Sequence, residues 1–201
     1  MPSPVFLRRF FLTMRKAFFL DRDGTLNVEV DYLYRCEDFA LIDGALEAVR
    51  RIHEAGFLAV VVSNQAGIAR GKYKLEDVKI LEKYMCEVMG KADPLAVPDG
   101  FYYCPHHPDK GTVAELVKEC SCRKPSPGLL LQAQKELEID LASSYMIGDK
   151  LSDVEAGIRA GCRESIFVKT GHGMEELDKA LARNYPVCED LLQAVKRILS
   201  K

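Results

Sequence analysis

The chain contains no tryptophan and only 4 histidines. No apolar stretch approaches the ~20 residues that a membrane span requires. Charges of the two signs nearly balance, with 28 Lys and Arg against 30 Asp and Glu and a net charge of -2. Binding to nucleic acid or to an anionic membrane surface relies on clustered positive charge. The composition therefore argues against both classes of partner, and the apolar share of 48% is typical of a soluble globular protein.

The first 15 residues differ from the rest of the chain. Val5 to Leu12 is apolar but is interrupted by Arg8 and Arg9, and no small-residue cleavage site follows. We interpret residues 1–15 as a disordered leader or an artefact of start-codon choice, with Met14 as a natural start. A poor signal peptide is the alternative. Residues 16–201 then form one domain, which is long enough for a full hydrophobic core.

Strand-like and helix-like segments alternate along the chain. Apolar periodicity predicts strands at 17–20, 57–62, 100–103, 144–147, 165–168 and around Val187, and helices at 44–55, 75–89, 126–137, 151–160, 175–183 and 190–199. Asp43 is the expected N-cap of the first helix. This alternation predicts an α/β fold, a parallel sheet flanked by helices on both faces. Ligands of such sheets bind beyond the carboxyl ends of the strands.

Two carboxylates directly follow the first predicted strand. Asp21 and Asp23 are two residues apart, and in an extended chain residues at this spacing point to the same side. Two acids held close together repel each other unless a positive charge lies between them, so a divalent cation is the expected occupant. The alternative is a plain turn, since Asp and Gly24 are common turn residues.

Three further polar sites follow strand ends or begin helices. Ser63 ends the second strand and offers a hydroxyl to a phosphoryl oxygen, although such a serine is often a cap or turn residue. Arg123 and Lys124 supply the fixed cations that phosphoryl transfer needs, unless they are merely solvated. Asp149 follows the fourth strand. Asp153 is either a supporting residue of the same site or an acid favoured in the first turn of a helix.

Three of the seven cysteines cluster with a histidine. Cys104, His106, Cys120 and Cys122 provide four ligands suited to tetrahedral Zn²⁺, with His107 as the alternative to His106 and free thiols as the alternative to metal. Four protein ligands leave no open position, so the zinc is expected to be structural. It would clamp residues 104–124 and hold the cations at 123 and 124 over the aspartates. Metal rather than disulfides, without a secretion signal, indicates a cytoplasmic location.

The motifs resemble those of the haloacid-dehalogenase-like (HAD) phosphohydrolases over residues 16–190. Phe18 to Thr25 resembles motif I, Ser63 motif II, Lys124 motif III and the segment 147–153 motif IV. The resemblance implies a Rossmann-like sheet, here without a large cap. It implies that Asp21 is the nucleophile and Asp23 the general acid/base. It also implies that Ser63 and Lys124 stabilise the phosphoryl group, and that Mg²⁺ is bound by Asp21, the Asp23 carbonyl and Asp149.

The residues of the predicted zinc loop resemble one family within this superfamily. The segments CPHHP and CSCRKP, with LDRDGTLN near the start, resemble the D-glycero-D-manno-heptose-1,7-bisphosphate 7-phosphatase family, whose product leads to lipopolysaccharide or S-layer heptose. The substrate would be a small sugar bisphosphate and the enzyme a monomer. The related histidinol-phosphate phosphatases are the alternative, although the long stretch 108–119 favours the heptose family. A zinc-containing nucleic-acid-binding module is the alternative of another class. The expected substrate-binding residues are Glu29, Val30, Asp31, Tyr32, Asn64, Gln65, Ala66, Arg123 and Lys150.

Overall fold

A six-stranded parallel sheet forms the centre of the molecule. The computed structural model describes residues 14–201. Its strands are Ala17–Leu20 (β1), Leu58–Asn64 (β2), Gly100–Cys104 (β3), Tyr145–Gly148 (β4), Glu164–Val168 (β5) and Val187–Cys188 (β6). Its α-helices are Ala45–Glu54 (α1), Leu75–Ala92 (α2), Gly128–Leu137 (α3), Leu151–Ala160 (α4), Gly173–Ala182 (α5) and Leu191–Leu199 (α6). The strand order is β3-β2-β1-β4-β5-β6, and every adjacent pair is parallel.

The alternation of side chains along β1 divides the core between the two faces of the sheet. Phe18 and Leu20 contribute to one apolar cluster, which is covered by α1, α2 and α6. Ala17 and Phe19 contribute to the other, which is covered by α3 and α4. All four residues are fully buried, as expected for the central strand of a sheet with helices on both faces. The predicted fold class is confirmed.

The ends of the helices differ in detail from the sequence prediction. Gly44, with φ of 82°, is the N-cap of α1 in place of Asp43, which the sequence favoured. The chain turns through a left-handed conformation there, which glycine adopts without the steric cost that a side chain would add. Pro127 is the N-cap of α3, which begins at Gly128 and not at residue 126. Gly161, in a left-handed conformation, is the C-cap of α4, which has the bounds that the sequence predicted.

The structure describes only the last two residues of the predicted leader. Residues 1–13, with most of the proposed leader, lie outside the described residues. Arg15, the last residue assigned to it, pairs with Ile139, and its backbone N–H donates to the carbonyl of Glu138 over 2.9 Å. The ordered domain therefore includes this residue. Over residues 14–201, we find no helix with the length and apolarity needed to cross a membrane.

The order of the strands defines where a ligand is expected. β1 pairs with β2 on one side and with β4 on the other. The chain therefore runs outward through β2 and β3 on one side of β1, and through β4, β5 and β6 on the other. The crevice between such strands, at their carboxyl ends, is the usual ligand site of open α/β sheets. The loop after β1 begins at Asp21 and the loop after β4 at Asp149. Both acidic motifs therefore open onto the same crevice. Within residues 14–201 no separate cap domain covers it.

We expect Gly157→Ala to destabilise the fold. The added Cβ would overlap with the Ser165 hydroxyl and lie 2.5 Å from Met146 Cβ, because α4 packs closely on β4 and β5. Overpacking of this kind costs ~1–3 kcal/mol. Gly90→Ala in α2 is the matched control, since its Cβ would approach only the side chain of Val97, at 3.2 Å, and we expect it to change the free energy of unfolding by less than about 1 kcal/mol. Urea unfolding of both variants measures the difference, and equal stabilities would contradict the packing argument.

Candidate active site

Three buried carboxylates meet at the crevice. Oxygen atoms of Asp21, Asp149 and Asp153 lie within 4.8 Å of one another. Asp21 follows β1, Asp149 follows β4, and Asp153 lies in the first turn of α4. Each is at most 5% exposed. Residues 128 positions apart in the chain are thus brought together by the pairing of β1 with β4.

Two glycines allow the loops to close around Asp149. Gly24 has φ of 81° and Gly171 has φ of 55°. A Cβ at either position would overlap with Oδ2 of Asp149, and a Cβ on Gly24 would also lie 2.9 Å from the Cα of Gly171. The glycine that follows the two aspartates of the first motif is therefore required by the close approach of the β1 and β5 loops to this carboxylate.

The carboxylate cluster is short of positive charge. Burial and the charges of Asp21 and Asp153 raise the pKa of Asp149 to about 8, and burial together with Asp21 raises the pKa of Asp153 to about 6. Oδ2 of Asp149 accepts the backbone N–H of His172 at 2.8 Å. Its Oδ1 is buried and has no hydrogen-bond partner within residues 14–201. Buried carboxylate oxygens with spare lone pairs are the donors that Mg²⁺ prefers, so this set fits that ion.

Lys124 is the cation built into the cluster. Its Nζ lies 2.7 Å from both Asp21 and Asp153 and donates to the carbonyl of Val62 at the same distance. Burial opposes the charge of the lysine, but the two carboxylates outweigh it and hold the Lys124 pKa above its ordinary value. The ammonium is therefore protonated and bonded in three directions.

Asp153 has both of the roles that the sequence left open. Its Oδ2 accepts the backbone N–H of Lys150 at 3.0 Å, which satisfies a free donor at the start of α4. Its other oxygen forms the ion pair with Lys124. One acid therefore caps the helix and positions the buried lysine beside Asp21.

Asp23 lies against Arg22, the residue between the two motif aspartates. Arg22 is 2% exposed and bonds both oxygens of Asp23, at 3.0 and 2.9 Å. Asn27 and Gln65 each donate to the same carboxylate at 3.0 Å. Burial disfavours the carboxylate charge, but Arg22 and these hydrogen bonds outweigh it and lower the pKa of Asp23. In this arrangement Asp23 is ionised and able to accept a proton.

The polar residues that end β2 align other parts of the site. Asn64 forms a pair of 3.0 Å hydrogen bonds with the backbone of Lys124, one as donor and one as acceptor. Gln65 donates to the Ser63 hydroxyl at 2.8 Å and accepts from Tyr73 at 2.6 Å. Ser63 is 2% exposed yet still contributes to the wall of the crevice. These hydrogen bonds fix the positions of Ser63 and Lys124.

A cavity of about 590 Å³ lies over Asp21. It is lined by most of the residues expected from the sequence: Asp21, Asp23, Glu29, Asp31, Tyr32, Ser63, Asn64, Gln65, Ala66, Arg123, Lys124 and Lys150. Asp149 is fully buried beside it. Val30, which was expected to contact substrate, does not line the cavity and is 36% exposed. Its neighbours Glu29 and Asp31 do line the cavity.

Among the residues of the cavity wall that the sequence did not predict are Arg70, Tyr73 and His172. Arg70 and Tyr73 lie in the turn after β2, and His172 lies in the loop after β5. None belongs to a motif with a chemical signature of its own. The only signal was their position a few residues beyond strand ends, which many other residues share.

The cysteine cluster forms a compact group beside the cavity. The sulfur atoms of Cys104, Cys120 and Cys122 are 3.2 to 3.6 Å apart, and His106 Nδ1 lies 3.3 Å from Cys122 and 3.7 Å from Cys104. Tetrahedral ligands at the ~2.3 Å of a zinc–sulfur bond are separated by about 3.8 Å. The four atoms therefore occupy the corners of a group close to the size of a zinc site.

His107 takes no part in this cluster. Its Nε2 accepts from Arg70 at 3.2 Å, and its Nδ1 lies 3.1 Å from Asp109. Its backbone joins the rest of the loop, since the N–H bonds Leu116 and the carbonyl accepts from Lys118. Of the two histidines that the sequence allowed, the structure groups only His106 with the cysteines.

A family model and curated relatives match this chain. A family model described as HAD-hydrolase-like matches residues 121–194. A D-glycero-beta-D-manno-heptose-1,7-bisphosphate 7-phosphatase from Yersinia pestis is 49% identical over 77% of this chain and 81% of its own. The protein of the same name from Escherichia coli K12 is 43% identical over 90% of this chain and 94% of its own.

Two solved structures share the fold of this chain. A D,D-heptose 1,7-bisphosphate phosphatase from B. bronchiseptica, complexed with magnesium and phosphate, has a TM-score of 0.79 at 32% identity and matches 92% of this chain and 98% of its own. A putative HAD-like phosphatase from Mesorhizobium loti has a TM-score of 0.72 at 31% identity over 90% of this chain and 88% of its own. The crevice between β1 and β4 thus lies in a HAD-like phosphatase fold, and the chain belongs to the heptose-1,7-bisphosphate 7-phosphatase family of HAD-like hydrolases.

Proposed function

We propose that this protein removes the C7 phosphate from D-glycero-D-manno-heptose 1,7-bisphosphate in a magnesium-dependent reaction. The observation that carries the proposal is the convergence of Asp21 and Lys124 on the floor of one open cavity, with the buried carboxylate of Asp149 within 4.8 Å of Asp21. The names of the relatives supply the substrate. The product, heptose 1-phosphate, would serve in making nucleotide-activated heptose for lipopolysaccharide or S-layer glycans. A cytoplasmic location, a monomeric state and the lack of a nucleic-acid partner stay predictions.

Asp21, Asp149 and the backbone carbonyl of Asp23 would hold Mg²⁺. When bound, the ion supplies positive charge to the carboxylates and to the phosphate oxygens. The unpartnered Oδ1 of Asp149 supports this assignment, as does the magnesium and phosphate complex of the related structure. The side chains of Ser63 and Lys124 would contact the phosphoryl oxygens, and Arg123 and Lys150 would recognise the rest of the substrate.

Hydrolysis then takes two steps on this chain's own residues. A carboxylate oxygen of Asp21 attacks phosphorus, the bond from phosphorus to the C7 oxygen breaks, and Asp23 gives a proton to that oxygen. In the second step Asp23 takes a proton from water, the water oxygen attacks the aspartyl-phosphate, and inorganic phosphate leaves Asp21. The same carboxyl thus donates and then recovers one proton.

The contacts of Asp23 define what the first step requires. The carboxylate is bonded by Arg22, Asn27 and Gln65, which favour its ionised form. Donating a proton requires that Asp23 be protonated and that some of these bonds be given up. These contacts favour the ionised form, which is the form suited to the second step, in which a proton is accepted.

Steady-state phosphate release from the two anomers of heptose 1,7-bisphosphate tests the proposed substrate. We expect kcat/KM for one anomer to exceed that for histidinol phosphate by at least about 100-fold. This ratio corresponds to ~2.7 kcal/mol of selective binding of the transition state. Faster hydrolysis of histidinol phosphate would instead indicate that the protein is a histidinol-phosphate phosphatase. Filter binding of labelled nucleic acid checks the non-enzymatic alternative.

Asp21→Asn is expected to abolish turnover. The amide keeps the shape of the carboxylate but is a poor nucleophile, and loss of a nucleophile lowers kcat by about 10⁴-fold or more. Asp43→Asn, the same exchange at an exposed position, is the control. Phosphate release measures both variants, and rates near wild type for Asp21→Asn would falsify the nucleophile assignment.

Asp23→Asn is expected to slow both steps, by ~10²- to 10⁴-fold in kcat with a sugar phosphate. With 4-nitrophenyl phosphate, whose leaving group needs no proton, formation of the aspartyl-phosphate should recover while its hydrolysis stays slow. The phosphoenzyme would then accumulate, which intact mass measurement after acid quench detects. If the variant changes only the magnesium concentration needed for activity, Asp23 is not the acid/base.

We further propose that Cys104, His106, Cys120 and Cys122 hold a structural zinc ion. Purified protein should contain about one zinc per chain, and Cys122→Ser should lose it, since three remaining ligands bind more weakly. Cys86→Ser, in α2 and outside the cluster, should keep the metal. Metal content by mass spectrometry measures both.

The proposed zinc is also expected to support catalysis. Arg123 and Lys124 directly follow Cys122, so loss of the ion should displace both cations. We therefore expect Cys122→Ser to lose phosphatase activity at temperatures well below its unfolding midpoint. Full activity in zinc-depleted protein would refute this positioning role.

A further inference from the structure

Four basic side chains line the cavity, and two of them have no carboxylate partner. Lys124 is bonded to Asp21 and Asp153, and Lys150 lies 3.7 Å from Glu29. Arg70 and Arg123 form no ion pair within the described part of the chain; their side-chain partners are neutral acceptors. Two uncompensated guanidinium groups at the wall of a cavity form a site for an anion.

Both guanidinium groups are held by adjacent residues of the cysteine-bearing loop. Arg123 donates to the carbonyl of His106 over 3.1 Å. Arg70 donates to Nε2 of His107 over 3.2 Å. Anchoring on one dipeptide places the two groups on the same side of the cavity. Phosphate, with several acceptor oxygens, suits a pair of planar guanidinium donors.

Arg70 also contacts the loop after β1. Its Nη1 donates to the Tyr32 hydroxyl over 2.6 Å, and its guanidinium lies 5.9 Å from the centre of the Tyr32 ring. Tyr32 has φ of 63°, a conformation that is uncommon for a residue with a side chain. Arg70 therefore links the two loops that border the cavity. Its Nε is buried without a hydrogen-bond partner in the described residues, and each of its two Nη atoms carries a second N–H group.

The turn that carries Arg70 is tightly packed. The carbonyl of Ala69 accepts the N–H groups of Thr112 and Val113, at 2.9 and 3.1 Å, which ties the turn to the cysteine-bearing loop. The backbone N–H of Arg70 itself donates to the carbonyl of Ala66. Arg70 thus extends from a rigid base, which lowers the entropy lost when the side chain binds a ligand.

We propose that Arg70 determines specificity by binding, together with Arg123, the phosphate of the substrate that is not transferred. The inference rests on the proposed function and adds a residue to it. It predicts selectivity for sugar bisphosphates over monophosphates. Arg70 would have no part in the transfer step at Asp21.

The test compares two substrates within each variant. Phosphate release is measured with heptose 1,7-bisphosphate and with heptose 7-phosphate, and the ratio of their kcat/KM values is taken. This ratio does not depend on the fraction of folded enzyme. We expect Arg70→Gln to lower it by about 10- to 100-fold, mainly through KM for the bisphosphate, as for the loss of a charge-assisted hydrogen bond. Arg70→Lys should recover part of the loss.

Lys72→Gln is the matched control. It removes a positive charge two residues away, on an exposed side chain that contacts the Tyr32 ring but does not line the cavity. Its ratio should stay within about threefold of wild type, because charges exposed to solvent are screened. An unchanged ratio in Arg70→Gln overturns the proposal, and so does an equal loss on both substrates, which would mark Arg70 as a structural link. Absence of bisphosphate turnover in the wild type would instead refute the proposed function.

Discussion

The site depends on the excess of negative charge at the carboxyl ends of β1 and β4. Asp21, Asp149 and Asp153 are buried within 4.8 Å of one another, and Lys124 is the one ammonium bonded to the group in the described residues. Three carboxylates and one lysine leave two negative charges, which is the charge that one divalent cation neutralises. Without such an ion, the raised pKa of Asp149 relieves part of the repulsion. Cation binding and the ionisation of these acids are thus coupled.

The position of Lys124 depends in turn on two loops. The cysteine cluster ends at Cys122, two residues before the lysine, and Asn64 binds the lysine backbone through both its amide groups. A flexible lysine side chain loses considerable rotamer entropy on burial. Here the backbone is fixed from both sides and the ammonium has three partners, so that cost is offset by bonds in place before substrate arrives. This is the electrostatic preorganisation on which phosphoryl transfer relies.

The sequence predicted what depends on spacing along the chain. The two aspartates of the first motif, the cysteine pairs and the strands could be read because a few neighbouring residues carry the signal. The roles of Asn64 and Arg70 could not, since each is set by partners about 40 to 60 positions away, Lys124 for one and Tyr32 and His107 for the other. The Gly44 cap was missed for another reason. Its left-handed backbone outweighs the ordinary preference for Asp43.

The hydrogen bonds at the end of β2 indicate that the side chains there align the reacting groups, whereas other residues select the substrate. Asn64 and Gln65 line the cavity, yet the amides have partners among the chain's own groups, on Lys124, Ser63, Asp23 and Tyr73. Side chains engaged in this way align the reacting groups for any phosphate ester that enters. Selectivity must then come from groups with donors to spare, and these lie on the loops at the rim. A fold without a large cap can therefore change its substrate by altering loop cations while the acidic cluster stays as it is.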